Sequence, residues 1–276
     1  MSPFALNALR FSAAALCFLP LIPRSLKSVP LAPAMELGCW LTLGYTFQAI
    51  GLSMTTASHG AFTGACTVLT VPVLIGLSGT QVGRSVWLSA AAALFGISLL
   101  TGDGGQPNLG DLACVVSAIL FGVHTWRVEA IVCSVNDAKA LVTLQLAVLA
   151  MCSIALATPE LIETVSTDGL AGTLELSKAL PWGDVLFMGV GTTALTLWIE
   201  MESLKDVSAA TAALIYTSEP IWGAMFAWVM LSERWGGQGW AGAALVVGAS
   251  IYSQVSGDSD KLKIEGSSSV STEQKL

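Results

Sequence analysis

The apolar positions of this chain run on rather than alternate. A membrane-crossing helix takes about 20 predominantly apolar residues, and runs of that order fall near 4–22, 35–54, 58–78, 85–101, 111–132, 138–157, 182–201, 208–231 and 238–255. The breaks between them carry helix-stopping chemistry: Pro23-Arg24, Ser78-Gly79-Thr80, Gly102 to Pro107, Asn136-Asp137 and Glu233-Arg234. Strands of a membrane barrel would alternate apolar and polar over about 10 residues. These runs are longer and unalternated, and backbone groups in hydrocarbon must be satisfied within their own segment, so helices follow. The expected fold is an all-α integral membrane bundle of about nine transmembrane helices. The break from Pro159 to Pro181 is acidic and contains Gly, Ser and Thr, which predicts a surface loop. After Gln254 the chain turns polar and has nothing to bury, so a disordered tail is expected.

Composition sharpens this picture. Of 276 residues, 54% are hydrophobic and 11% charged, against roughly 25% charged in an ordinary soluble domain. Lipid is therefore the expected solvent for most of the surface. The net charge of −7 comes with no basic patch, which argues against a nucleic-acid partner. Cys17, Cys39, Cys66, Cys114, Cys133 and Cys152 form no CxxC pair and lie in or beside apolar runs, so they read as small hydrophobes. The stretch from Phe4 to Ile22 lacks a preceding basic region and a closing small-residue cleavage pattern, and is read as a span rather than a signal peptide.

Orientation follows from lysine and arginine in the connections. If connections alternate sides, one side holds Arg24, Lys27, Arg84, Arg127, Lys139, Lys205, Lys261, Lys263 and Lys275, and the other only Lys178 and Arg234. The C-terminal tail is then expected on the cytosolic or equivalent side. Nine spans would put the N-terminus opposite.

Two stretches about 150 residues apart resemble each other. Thr56 to Phe62 leads to Val71-Pro72-Val73 and then to Gln81–Gly96; Val207 to Ala212 leads to Glu219-Pro220-Ile221 and then to Glu233–Gly248. Each is a small-residue helix start, a mid-helix proline, a short connection and a Gly/Ala-rich helix. An odd number of spans lies between them, so the units are inverted in the membrane, as in many secondary transporters.

These features resemble the EamA-type branch of the drug/metabolite transporter superfamily, whose members have ten helices in two five-helix repeats. Pro3 and Arg10, with the apolar run to Pro20, resemble that family's second helix, and Ala57-Ser58 through Pro72 its fourth. Ser208 to Ala213 through Glu219-Pro220 and on to Glu233-Arg234 resembles the ninth helix and its following turn; Gly242 and Gly248 resemble glycines of the tenth. The resemblance covers residues 3 to about 254 and departs at the start, where the first helix is absent. It implies an incomplete first repeat at 1–104, a complete second repeat at 105–255 and a tail at 256–276. An N-terminally incomplete sequence or mis-assigned start is the expectation, and a further helix would return both termini to the positive side. Leu197 to Glu200 and Ile221-Trp222-Gly223 resemble plastid-type members from photosynthetic organisms, which suggests the plastid envelope, with the plasma membrane as alternative.

Several polar residues inside the spans are candidates for a substrate cavity. Glu219 stands near the middle of 208–231, where a carboxylate costs roughly 2.5–3.5 kcal/mol on insertion scales and is functional by default. Its neighbour Pro220 frees a carbonyl one turn earlier, near Tyr216. Glu219 is read either as a substrate contact or proton carrier, or as a structural hydrogen-bond partner. Arg10 either snorkels to the headgroups or lines the cavity, neutralising Glu219 or an anionic substrate. Thr63, Thr67 and Thr70 share one helix face beside Gly60 and Gly64, which suits close packing or a polar path. Thr192 and Thr196, with Gly189, repeat the pattern. Tyr45, Gln48 and His124 are further cavity candidates.

Gly189-Val190-Gly191-Thr192-Thr193-Ala194 fits the G-x-G-x-x-A form of a dinucleotide site, but it lies inside an apolar run with no βαβ unit, so it reads as helix packing. Two distant histidines, His59 and His124, offer no metal cluster, and neither a nucleophile elbow nor a phosphate loop occurs. No cofactor and no enzymatic activity are expected. The favoured function is secondary transport of a small organic metabolite by alternating access, with a non-transporting membrane receptor or scaffold as the alternative. Substrate, coupling ion and oligomeric state are left open.

Overall fold

The computed structural model describes residues 2–55, 67–79, 82–100, 108–135, 137–178 and 180–216, with isolated positions from 218 to 252. Among the described residues every regular element is helical. The helices are α1 (Pro3–Phe18), which passes through a 3-10 turn at Leu19–Leu21 into α2 (Ile22–Ser28), α3 (Leu31–Met54), α4 (Thr67–Leu77), α5 (Arg84–Leu100), α6 (Leu109–Val132) and α7 (Ala138–Lys178). There follow α8 (Trp182–Leu186), a π-helical segment (Phe187–Leu195), α9 (Thr196–Ser203) and α10 (Ala209–Tyr216). By length and composition, Pro3–Ser28, Leu109–Val132, Ala138–Thr167 and Trp182–Ser203 are four helices able to cross a membrane.

Local chemistry sets the starts. Ser2 caps α1, its hydroxyl accepting from the Ala5 amide at 3.1 Å, and Pro3 supplies the fixed φ suited to a first turn. A reciprocal capping box opens α6: Asn108 Oδ1 accepts from the Asp111 amide at 3.0 Å, and Asp111 Oδ2 accepts from the Asn108 amide at 2.9 Å. Thr55 donates its hydroxyl to the other oxygen of Asp111, which ties the end of α3 to the start of α6. Asp137 caps α7 by accepting from the Ala140 amide at 3.0 Å.

The surface loop expected from Pro159 to Pro181 is instead mostly helix. α7 continues past Pro159 and its backbone breaks at Gly169, where φ is +68°. A proline costs a helix one amide donor, but the hydroxyls around this one reinforce the helical turn rather than a loop. Thr158 bonds back to the Ile154 carbonyl at 2.8 Å, Thr164 to Glu160 at 2.9 Å and Ser166 to Ile162 at 2.7 Å. Ser2 donates to Glu160, linking the start of α1 to this extension.

The core lies where α1, α3, α6 and α7 meet, lined by Phe11, Leu37, Leu41, Val128, Leu141 and Leu149. Glycines bring the helix axes together there. A Cβ on Gly38 would stand 2.6 Å from Val148 Cγ1, and one on Gly51 would stand 2.8 Å from the Gly110 carbonyl. Small residues at such crossings are how apolar helices gain contact without a hydrophobic drive between them. The outer surface is the reverse of a soluble protein's: Leu43, Phe47, Phe95, Ile119, Met151 and Ile154 are exposed. That surface is matched to lipid.

Candidate functional site

α1, α3 and α6 build an aromatic cradle inside the bundle. Tyr45 of α3 packs between Phe11 of α1 and Phe121 of α6, with ring centroids 4.9 Å away on either side, tilted by 47° and 72°. The cradle depends on Gly44, since a Cβ there would sit 2.8 Å from Phe121 Cε1. Asn7 steadies it by donating its amide to the Tyr45 carbonyl at 3.2 Å.

Arg10 lies in this cradle. Its guanidinium carbon stands 4.4 Å from the centre of the Phe11 ring and 4.6 Å from that of Tyr45, and it bonds the Tyr45 side chain. The Nε atom is shielded from solvent and has no hydrogen-bond partner among the described residues. The side chain therefore turns inward across α3 rather than toward the headgroups.

One helical turn along α6 from Phe121, the polar track continues. Gln145 of α7 donates its amide nitrogen to His124 Nε2 at 3.1 Å, and both side chains are almost wholly buried. Gln145 Oε1 has no partner among the described residues. The adjacent Thr125 donates to Glu200 Oε1 at 3.5 Å, and Tyr216 of α10 bonds the same carboxylate. Arg10 and Tyr45 thus meet α6 through Phe121, Gln145 meets it at His124, and Glu200 with Tyr216 meets it at Thr125.

Glu200 was not among the cavity candidates chosen from the sequence. It follows the apolar Leu197-Trp198-Ile199 and lies two residues before Glu202, at the polar margin of a span. Gln145 and Thr125 carried no distinct signal, since isolated polar residues recur throughout these helices.

The remaining sequence candidates fall elsewhere. Gln48 is half-buried, one turn beyond Tyr45 on α3. Thr67 donates to the Ala118 carbonyl of α6 at 3.1 Å, and a Cβ on Gly122 would meet the Thr70 methyl at 2.6 Å, so these threonines pack α4 onto α6. Thr192 and Thr196 are exposed, their hydroxyls bonding Met188 and Thr192 carbonyls of their own helix at 2.8 and 2.7 Å. Thr63, Glu219 and Pro220 lie outside the described residues. The glycine motif beginning at Gly189 sits in the π-helical segment, with Gly189 pressed against the backbone of α1. Among the described residues, no three metal-ligating side chains cluster.

The family described as the EamA-like transporter family matches residues 108–253. An uncharacterized transporter of Archaeoglobus fulgidus is 35% identical over 125 residues, which are 45% of this chain. The chain spans 39% of the length of that relative. A protein of known crystal structure superposes with a TM-score of 0.70 over 92% of this chain and 88% of its own, at 16% identity, a likeness of fold.

Proposed function

Because this chain belongs to the EamA-like transporter family, a family of multi-pass integral membrane proteins, we propose that it is a secondary carrier of small organic metabolites. Its mechanism is alternating access about the polar track on α6. In this reading the chain supplies about nine helices to two inverted repeats, within 1–104 and 105–255, followed by the tail at 256–276. The repeats rock against each other around a cavity near the midplane. The tail and the lysine-rich connections face the cytosol or its equivalent, and the resemblance of Leu197 to Glu200 to plastid-type members favours the plastid envelope. Glu219, Pro220 and Thr63 complete the cavity in this reading.

The observation that carries the proposal is Glu200. A carboxylate inside an apolar span is expensive, and such groups face a cavity or a partner. Here the partners are hydroxyls from two other segments, Thr125 and Tyr216, and among the described residues no cation pairs with it. A structural tie between helices would be as well served by a neutral amide. A group that exchanges a proton or meets cargo would not.

The test is solute uptake by the full chain in proteoliposomes, over a metabolite panel, with and without a pH gradient. Glu200→Gln keeps the shape and the hydroxyl contacts. It should cut uptake about tenfold or more while the protein still elutes as a single folded species. Uptake by Glu200→Gln at the wild-type rate would remove the carboxylate from the mechanism, and no flux of any solute would sink the carrier reading.

A further inference from the structure

Resting on the carrier reading, we infer that the cargo is a small organic anion, and that Arg10 receives its carboxylate or phosphoryl group against the face of Tyr45. The argument begins with charge. Arg10 lies seven residues into α1, about 10 Å along the helix axis at 1.5 Å per residue. A guanidinium at that depth needs either an aqueous route or a neutralising partner.

Among the described residues no acid pairs with Arg10. Glu36 pairs with Arg127, Glu202 with Lys205, and Asp111 belongs to the α6 capping box. Glu160 takes the Ser2 hydroxyl, and Glu200 takes Thr125 and Tyr216. Arg10 has aromatic faces and a phenol instead. Cation–π contacts of this kind hold a guanidinium in place and are worth roughly 0.5–2 kcal/mol, but they cancel none of its charge. The Nε donor is left over in a shielded position.

The geometry suits an oxyanion. A guanidinium presents a planar fork that binds carboxylate and phosphate through two parallel bonds. Contacts with the Phe11 and Tyr45 rings hold the guanidinium in place, and Phe121 and the Asn7 bond to the Tyr45 carbonyl hold Tyr45 in turn. The fork is oriented before the ligand arrives, so its binding does not require an arginine rotamer to be frozen. A neutral solute would gain only weak donors there, and a cation would be repelled.

A matched set separates the possibilities: gluconate, glucose 6-phosphate, glucose and glucosamine, added to the wider panel of anionic, neutral and cationic metabolites in proteoliposome counterflow. Uptake should be confined to anions and be competed by the better of gluconate and glucose 6-phosphate, which also tells carboxylate from phosphoryl. Arg10→Lys keeps the charge but loses the fork, and should raise the half-saturating anion concentration about tenfold or more while the maximal rate changes less. Arg10→Gln should abolish anion uptake. Folding is checked by elution profile, and Arg10→Lys carries the test if Arg10→Gln fails to fold. Saturable uptake confined to neutral or cationic solutes, or anion uptake unchanged in both variants, overturns the assignment and leaves the carrier reading standing. No uptake of any solute overturns both.

Discussion

Replacing Gly189 by alanine tests the packing that holds α1, and Arg10 with it, against the bundle. A Cβ at position 189 would stand 2.5 Å from the Arg10 carbonyl oxygen, 2.8 Å from Ala13 Cβ and 3.4 Å from the Ala14 amide nitrogen. Two of these are backbone atoms of α1, so no side chain can swing aside, and the helix itself must move. Overpacking of this kind costs typically 1–3 kcal/mol, while alanine recovers about 0.5–1 kcal/mol of helix propensity. The clash wins, by about 1–2 kcal/mol. At about 2–4 °C per kcal/mol for chains somewhat smaller than this one, the midpoint should fall by roughly 2–8 °C. Gly191→Ala is the control. A Cβ there meets only the Phe187 ring at 3.6–3.7 Å, ordinary contact, so propensity alone acts and the midpoint should hold or rise. Thermal unfolding of both variants in detergent, followed by tryptophan fluorescence, reads the difference in sign. Equal shifts for the two, or a Gly189→Ala protein as stable as wild type, would refute the packing argument.

Other outcomes follow from the same contacts. Arg127 and Glu36 form a two-point ion pair, with Nη2 to Oε2 at 3.1 Å, but about a third of each side chain is exposed. Glu36→Gln should therefore cost less than about 1 kcal/mol, and the exchange Glu36→Arg with Arg127→Glu should recover more of the midpoint than Glu36→Arg alone retains. Cys39 of α3 and Cys152 of α7 lie within hydrogen-bond reach of each other; copper phenanthroline should crosslink them in the membrane, seen as two fragments held together after cleavage between α6 and α7, and separate fragments would contradict the α3–α7 contact. Cys133 is exposed in the turn after α6, six residues before Lys139 in the sequence, whereas Cys114 is buried. An impermeant maleimide should label Cys133 from the same side as the C-terminal tail and leave Cys114 unmodified; labelling of Cys133 from the opposite side would reverse the orientation.

The helices were legible because hydrocarbon imposes a strong rule: each crossing must be long, apolar and satisfied within itself. α6 runs from Leu109 to Val132 where the apolar run spans 111–132, and α3 begins at Leu31 against 35. The rule ends with the hydrocarbon. Beyond Pro159 the chain is amphiphilic, and its hydroxyl residues read equally well as loop formers or as side chains that bond back onto a helix; the structure shows the second. Nor does the apolar pattern say which face of a helix turns inward, because lipid and core make nearly the same demand. That is why Thr192 and Thr196 looked equivalent to Thr67 and Thr70, although one pair is exposed and the other packs on α6.

The site follows a different logic, and Glu200 shows it. Arg10, Tyr45, His124 and Tyr216 are conspicuous in the sequence, each polar among apolar neighbours within a span. Glu200 stands three residues from the end of its helix at Ser203 and two before Glu202. In sequence that position belongs to the polar margin of a span, where a carboxylate reaches water at little cost. The fold instead gives it partners, Thr125 of α6 and Tyr216 of α10. Its meaning is therefore set by residues 75 positions before it and 16 after it, and no local pattern could carry that. Arg10 makes the complementary case: its depth was legible, but whether it reached for headgroups or turned inward depended on a tyrosine in another helix. A charge within a span signals function in the sequence, and its partners across the bundle decide which function.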